Sequence, residues 1–298
     1  MTINVKDGGT FREVNQVYVH DGTSFTNKLI TNVYVKDGGV WRNVFVLFAT
    51  TNFSQTTGSI TVPTNANAFH IRFAVGGGSG GVSGAEYDKG GGESAGAGGA
   101  SGAYISDKVF TVTSGETLTI ATGSAGTAST GVPYNTSAGN GGDTTISSSS
   151  SGINITLRGG VGGSANSTGG DQGPLRNNVA STGGTATISG TVLSSGTSVD
   201  GKNITTFTSG PVGTFNQSGD GVAGANPGNC IGDNCQIAGG AGGTSYGTAI
   251  AGGTGGPAGG SSSAGTRGSG GGGGGAQQGA PGGAGGAGEL IFRFIRLT

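Results

Sequence analysis

The chain has 298 residues, 71 of them glycine, with seven prolines, two cysteines and a formal net charge of −1. Between residues 109 and 288 only Arg158, Arg176, Lys202 and Arg267 are basic, so a phosphate-tracking surface is excluded and nucleic acid is not expected as a partner. No apolar run approaches a membrane span and the N-terminal MTINVKDGG lacks the basic and apolar regions of a secretory leader, which predicts a soluble protein without membrane insertion.

Residues 5–45 hold an internal repeat. VKDGGTFREV, VYVHDGTSFTN and VYVKDGGVWRNVF align on Asp7-Gly8, Asp21-Gly22 and Asp37-Gly38. Asp-Gly supplies the positive φ angles of tight hairpin turns, so each unit reads as a β-hairpin, with Phe11, Phe25 and Trp41 at equivalent positions filling one core. One acid per turn is too few for an EF-hand loop. About forty residues bury little apolar surface alone, so residues 1–49 read as an attachment and oligomerisation module that docks on other proteins or on copies of itself.

From residue 50 the text changes. Phe69, Ile71, Phe73 and Val75 alternate with His70, Arg72 and Ala74, the period of a half-buried strand. Ala103–Thr113 and Thr117–Thr122, parted by Ser114-Gly115-Glu116, read as a hairpin within one sheet, and 141–146 with 152–157 as another. LIFRFI (290–295) closes the chain with a strand expected to share a sheet with 69–75. Residues 50–298 therefore form one closed domain, entered and left at the same end.

Only six of the 71 glycines precede residue 74. In the body they fall in GGx runs at 159–164, 239–244, 252–257 and 282–287, a period of three that matches the polyproline II helix. Glycine on two of every three faces lets several such helices approach closely and satisfy one another's backbone groups. The interspersed strand-like segments argue against a flexible Gly/Ser linker, and the short runs with few prolines argue against collagen. Non-glycine residues are expected at the connecting tips, and the break in period over 261–279, where Arg267 stands, reads as one such tip. The fold class is thus all-β plus polyproline II: a β-hairpin repeat module, then a small β-sheet base carrying a glycine-rich helix bundle.

Chemistry is sparse. Cys230 and Cys235, in NCIGDNCQ, read either as a small disulfide loop or as two free thiols; with His20 and His70 far away no zinc ligand set exists, and neither metal nor cofactor is expected. Glu86, Asp88 and Glu93 form the one acidic cluster, without a partnered base or nucleophile, so catalysis is not expected. Tyr and Arg are favoured anchors of binding surfaces. The loops between glycine runs supply Tyr87, Asp88 and Lys89, Tyr134 and Asn135, Arg176 and Asn177, Tyr246 and Arg267 as candidate receptor contacts. Phe207 and Phe215 read as plugs between helices.

The strand leading into GGG, then GASGAYI (99–105), TLTIATGSAGT (117–127), GNGGDTTI (139–146), INITLRGGVGG (153–163) and GGAGGAGELIFRF (282–294), resembles the glycine-rich domain of bacteriophage tail-fibre tips and adhesins. The VYVKDGG repeat is similar to repeats in phage virion structural proteins. The resemblance implies a stack of polyproline II helices whose loops bind a host surface saccharide or outer-membrane protein. It also implies attachment to other virion proteins, through residues 1–49, and a homo-oligomer, a trimer being one form. The rivals are a structural virion component, such as a capsid decoration or fibre-joining protein, and, remotely, an antifreeze-type glycine bundle.

Overall fold

The computed structural model describes residues 57–84, 95–106, 108–130, 137–163, 181–192, 220–225, 238–245, 250–257, 260–274 and 280–296, and elsewhere the backbone of strands. In the N-terminal region β1 (Asn4–Asp7) pairs antiparallel with β2 (Thr10–Glu13), β3 (Val19–His20) with β4 (Phe25–Thr26), and β5 (Asn32–Asp37) with β6 (Val40–Val46). Phe11, Phe25 and Trp41 stand opposite Lys6, His20 and Lys36 in these registers. The shared aromatic core expected of them lies outside the described residues.

The body strands follow: β7 (Phe53–Ser54), β8 (Thr57–Thr61), β9 (Ala68–Val75), β10 (Tyr104–Thr111), β11 (Thr117–Ala121), β12 (Thr144–Ser148) and β13 (Asn154–Leu157). After them come β14 (Ser164–Asn166), β15 (Asn177–Val179), β16 (Ala186–Ser189), β17 (Val192–Leu193), β18 (Gln217–Gly219) and β19 (Glu289–Ile295). One sheet has the order β17-β10-β9-β19-β7, with β18 also on β10; the other runs β16-β13-β12-β11-β8. Between them Phe69, Ile71, Ile105, Phe110, Leu118, Ile120, Ile146, Ile155, Leu157, Leu290, Phe292 and Phe294 form one buried core. The pairing of 290–295 with 69–75 is as the two alternating patterns predict, and its aromatic centre is Phe69 with ring centroids 5.1 Å from Phe292 and 5.5 Å from Phe294.

Two local expectations are corrected. Strict alternation across β9 fails because Arg72 is an extra residue against β19, where Ile291 pairs with Phe73 and Phe292 with Ile71. The bulge shifts the phase, so Phe69, Ile71 and Ala74 reach the common core, while Arg72 alone in the strand is exposed. The segments 103–113 and 117–122 are not a hairpin within one sheet: β10 belongs to the first sheet and β11 to the second. Gly115, at φ 81°, makes the corner, and Glu116 locks it. Its carboxylate accepts from Thr113 N at 2.8 Å, Ser148 Oγ at 2.6 Å and Ser151 N at 2.9 Å. Burial raises the Glu116 pKa, but these hydrogen bonds outweigh it and hold the carboxyl below its ordinary range.

The glycine-rich segments between strands are linked by backbone hydrogen bonds that step by three residues. In run 76–84, Gly76, Ser79 and Val82 donate to Ala103, Ala100 and Ala97; Gly77 and Gly80 donate to Gly142 and Gly139; Gly78, Gly81 and Gly84 donate to Gly286, Gly283 and Ala280. Its carbonyls at Gly78 and Gly81 accept from Gly126 and Ser129, those at Ser79 and Val82 from Gly271 and Gly274, and that of Gly77 from Gly160. Run 76–84 is thus enclosed by antiparallel runs 95–103, 137–142 and 280–288 and by parallel runs 123–130, 158–163 and 268–274. Runs 95–103 and 268–274 are enclosed in the same manner. These three inner runs are buried throughout. A ring closes around them in the order 123–130, 137–142, 158–163, 181–185, 220–225, 238–244, 251–257, 260–266 and 280–288, each bonded to the next.

Glycine is required by the closeness of this lattice. A Cβ on Gly160 would strike the carbonyl oxygen of Ala100, one on Gly253 that of Ser263, and one on Gly270 that of Gly99. Non-glycine residues are therefore not confined to tips, as the sequence suggests; in outer run 251–257 they occupy the third, outward position. In 251–257 exposure repeats every three residues, with Ala251, Thr254 and Pro257 outward and Gly253 and Gly256 buried.

Candidate functional site

Successive runs alternate in direction, so the bundle has a sheet end and a far end. At the sheet end Thr144 Oγ1 donates to Val75 O at 2.7 Å and accepts from Gly123 N at 2.9 Å, tying three chain passages where strands become glycine runs. Asp143 Oδ1 accepts from Gly159 N at 3.0 Å and Asp220 Oδ1 from Ala186 N at 3.1 Å, so these carboxylates satisfy backbone donors along the same seam.

At the far end the described residues converge. Gly84 N donates to Ala280 O at 2.9 Å, Gly96 N to Gly274 O at 2.8 Å, and Ser83 Oγ lies 3.1 Å from Ser129 Oγ. Ala138 N donates to Gly163 O at 3.0 Å, Ala225 N to Ala241 O at 2.8 Å, and Gly260 N to Pro257 O at 2.7 Å. Val82, Ala97 and Ala138 form a small apolar cluster beneath. The chain consequently enters and leaves 85–94, 131–136, 164–180, 226–237, 258–259 and 275–279 at this one end.

Tyr87, Asp88, Lys89, Tyr134, Asn135 and Arg176 lie outside the described residues, as do Tyr246, Phe207, Phe215, Cys230 and Cys235. Asn177 begins β15 and pairs with Asn166 in a two-stranded ribbon. The described flanks of the first three candidate segments, those of Tyr87, Tyr134 and Arg176, stand at the far end. Those of Tyr246 do not: Ser245 and Ile250 pair with each other, and Ser245 Oγ donates to Arg267 O at 2.8 Å. Arg267 is at the sheet end as well, not at a tip. The break in period over 261–279 holds two bundle runs, 260–266 and 268–274, joined by a turn with Arg267 at φ 46° and Gly268 at φ 74°. Arg267 Nε is 3.0 Å from Glu289 Oε2 at the start of β19, an ion pair on a half-exposed arginine.

Serines inside the glycine runs escaped the sequence reading and hold the inner lattice together. Ser79 Oγ accepts from Ala100 N at 2.7 Å, Ser101 Oγ from Val222 N at 2.8 Å, and Ser181 Oγ accepts from Gly224 N at 2.9 Å while donating to Gly98 O at 2.7 Å. The readable signal is a hydroxyl replacing one glycine within GGGSGG or GGASGA. Among the described residues no three of His, Cys, Asp and Glu gather as a metal site, and no helix is long and apolar enough to cross a membrane. Glu116 and Lys108, whose ammonium is pushed down by burial, are the titratable groups shifted among the described residues, and both lie in the base strands and their turn.

The class is an all-β, antiparallel two-sheet domain with interleaved glycine-rich runs. Residues 51–295 match the family model described as a glycine-rich domain, and the chain belongs to that family. No curated protein matches it.

Proposed function

We propose that this protein is a non-enzymatic virion component of a tailed phage, a tail-fibre or tail-tip adhesin on the particle surface, that binds a host surface receptor. Residues 1–49 attach it to other virion proteins, in a homo-oligomeric assembly, and the sheet base carries the bundle outward. The three-residue step of the hydrogen bonds and of exposure supports a polyproline II conformation for the runs.

The observation that carries this reading is the return of the described chain to one end of a close-packed bundle around segments 85–94, 131–136, 164–180 and 226–237. In sequence these hold Tyr87, Asp88, Lys89, Tyr134, Asn135, Arg176 and Asn177, whereas the runs themselves hold just two charged residues, Arg158 and Asp220, both at the sheet end. A rigid stem that presents several polar, aromatic segments side by side suits recognition of a saccharide or an outer-membrane protein.

Full-length protein is incubated with host envelope fractions and with purified surface polysaccharide, beside a variant in which Tyr87 and Tyr134 are changed to alanine. Saturable binding by the parent that falls at least about tenfold in the variant is expected, since aromatic anchors carry such losses. Stable incorporation into particles with no binding to any envelope fraction would instead establish a purely structural virion role.

A further inference from the structure

We propose that the outward side chain at every third position of the outer runs is what keeps the glycine lattice finite, and that the partner it excludes is the same face of a second copy. Exposed lattice edges are ordinarily guarded by charge, as lysines guard edge strands. Here, of runs 123–130, 137–142, 158–163, 181–185, 220–225, 238–244, 251–257, 260–266 and 280–288, just two hold a charged residue, Arg158 and Asp220, each at the sheet end. Electrostatic repulsion is therefore unavailable along the flank of the bundle, and steric exclusion must serve.

The geometry supplies it. Wherever two runs meet, the facing positions are mostly glycine, and an added Cβ at Gly242, Gly252 or Gly255 would fall against a neighbouring carbonyl. At these facing positions the approach distance is one that a single methyl group forbids. On the outside of adjacent runs 238–244 and 251–257, the exposed positions are Ala238, Ala241, Ala251, Thr254 and Pro257, every one bearing a Cβ. Val161, Thr182 and Val222 do the same on runs 158–163, 181–185 and 220–225, which explains why two large apolar side chains stand in solvent, at 47% and 44% exposure for the valines. Run 268–274, enclosed on every side, carries a side chain only at Ser269. Runs 76–84 and 95–103, also enclosed, take up Ser79, Val82, Ala97 and Ala100 inside the lattice, so it is on the outer runs that the third residue of GGx marks where the lattice stops.

A second copy is the natural intruder because an antiparallel pair of stripped faces can meet about a twofold axis, with each copy offering what the other accepts. The test compares two full-chain variants by sedimentation. In one, Ala238, Ala241, Ala251 and Thr254 become glycine; in the other the same four positions become serine, which keeps every Cβ. The glycine variant is expected to show a concentration-dependent rise of about twofold in mass over the parent, as a closed isologous pair requires, while the serine variant stays at the parent's mass. An unchanged mass in the glycine variant, with its glycine amides still slow to exchange, would overturn the proposal, and so would association of the serine variant. Should the fourfold glycine variant lose amide protection, Ala241→Gly with Thr254→Gly replaces it under the same two criteria.

Discussion

The sheet base and the glycine bundle are joined without a break, yet they are held by opposite means. In the base, Phe69, Phe110, Phe292 and Phe294 are buried between two sheets, and stability comes from apolar area removed from water. In the bundle hardly any side chain is large enough to bury; backbone groups pair with one another, and glycine matters for what it lacks. A hydrophobic core tolerates replacement by residues of similar volume. A lattice limited by contact between main chains tolerates nothing larger than hydrogen at its facing positions. The same length of chain is thus robust in one region and brittle in the other.

The largest effect should come from violating that limit. Gly160→Val and Gly253→Val each place a side chain against main-chain atoms on a neighbouring run, and we expect losses above about 4 kcal/mol, or no folded bundle. Val161→Ala, one position away but 47% exposed, should change the melting temperature little. Equal damage from both kinds of change would abolish the contrast between regions. Next in size, Phe292→Ala should cost about 3–5 kcal/mol through the cavity it leaves, measured by denaturant unfolding of the base.

Glu116 separates the two regions by pH. Its folded pKa lies below the ordinary value of 4.5, so its contribution is complete above that value and is lost as pH falls through the folded pKa. The bundle runs contain two titratable side chains, Arg158 and Asp220, both at the sheet end, and acid should loosen the base corner while glycine amides away from that end stay protected. Glu116→Ala, which takes away the acceptor of Thr113 N and one of the two acceptors of Ser151 N, should cost about 1–3 kcal/mol and abolish that pH dependence. Thermal unfolding followed across the acid range checks both. The smallest effect is expected of Arg267→Gly: an exposed ion pair is worth about 0–1 kcal/mol, and glycine relieves the positive φ. Its receptor binding should equal the parent's because Arg267 sits at the sheet end.

Much of the base was legible in the sequence alone. Alternation in 69–75 and 290–295 marks two strands, and their common burial follows from matched apolar patterns. What alternation cannot show is the bulge at Arg72, because an extra residue depends on the register against β19. Nor does the turn at 114–116 disclose that it crosses between sheets, since a left-handed Gly115 serves a hairpin or a corner equally. The candidate contacts divide for a similar reason. Tyr87 and Arg267 both stand in interruptions of glycine text, and direction of travel along the bundle is what separates the far end from the sheet end.

The sequence by itself determined that the body would alternate between strands and three-residue glycine runs, because period two and period three are properties of the local chain. It also carried, in the x of each GGx, the face that would meet water. Tertiary structure alone decided which runs are enclosed and which enclose them. Run 268–274, late in the chain, lies beside 76–84 and 95–103 at the centre, and its neighbours are chosen by carbonyls up to 192 residues away, as in Gly271 N to Ser79 O and Gly274 N to Val82 O. Backbone groups are alike at every glycine, so they specify that partners must be found but not which ones; the strands that anchor each run at the sheet end make that choice.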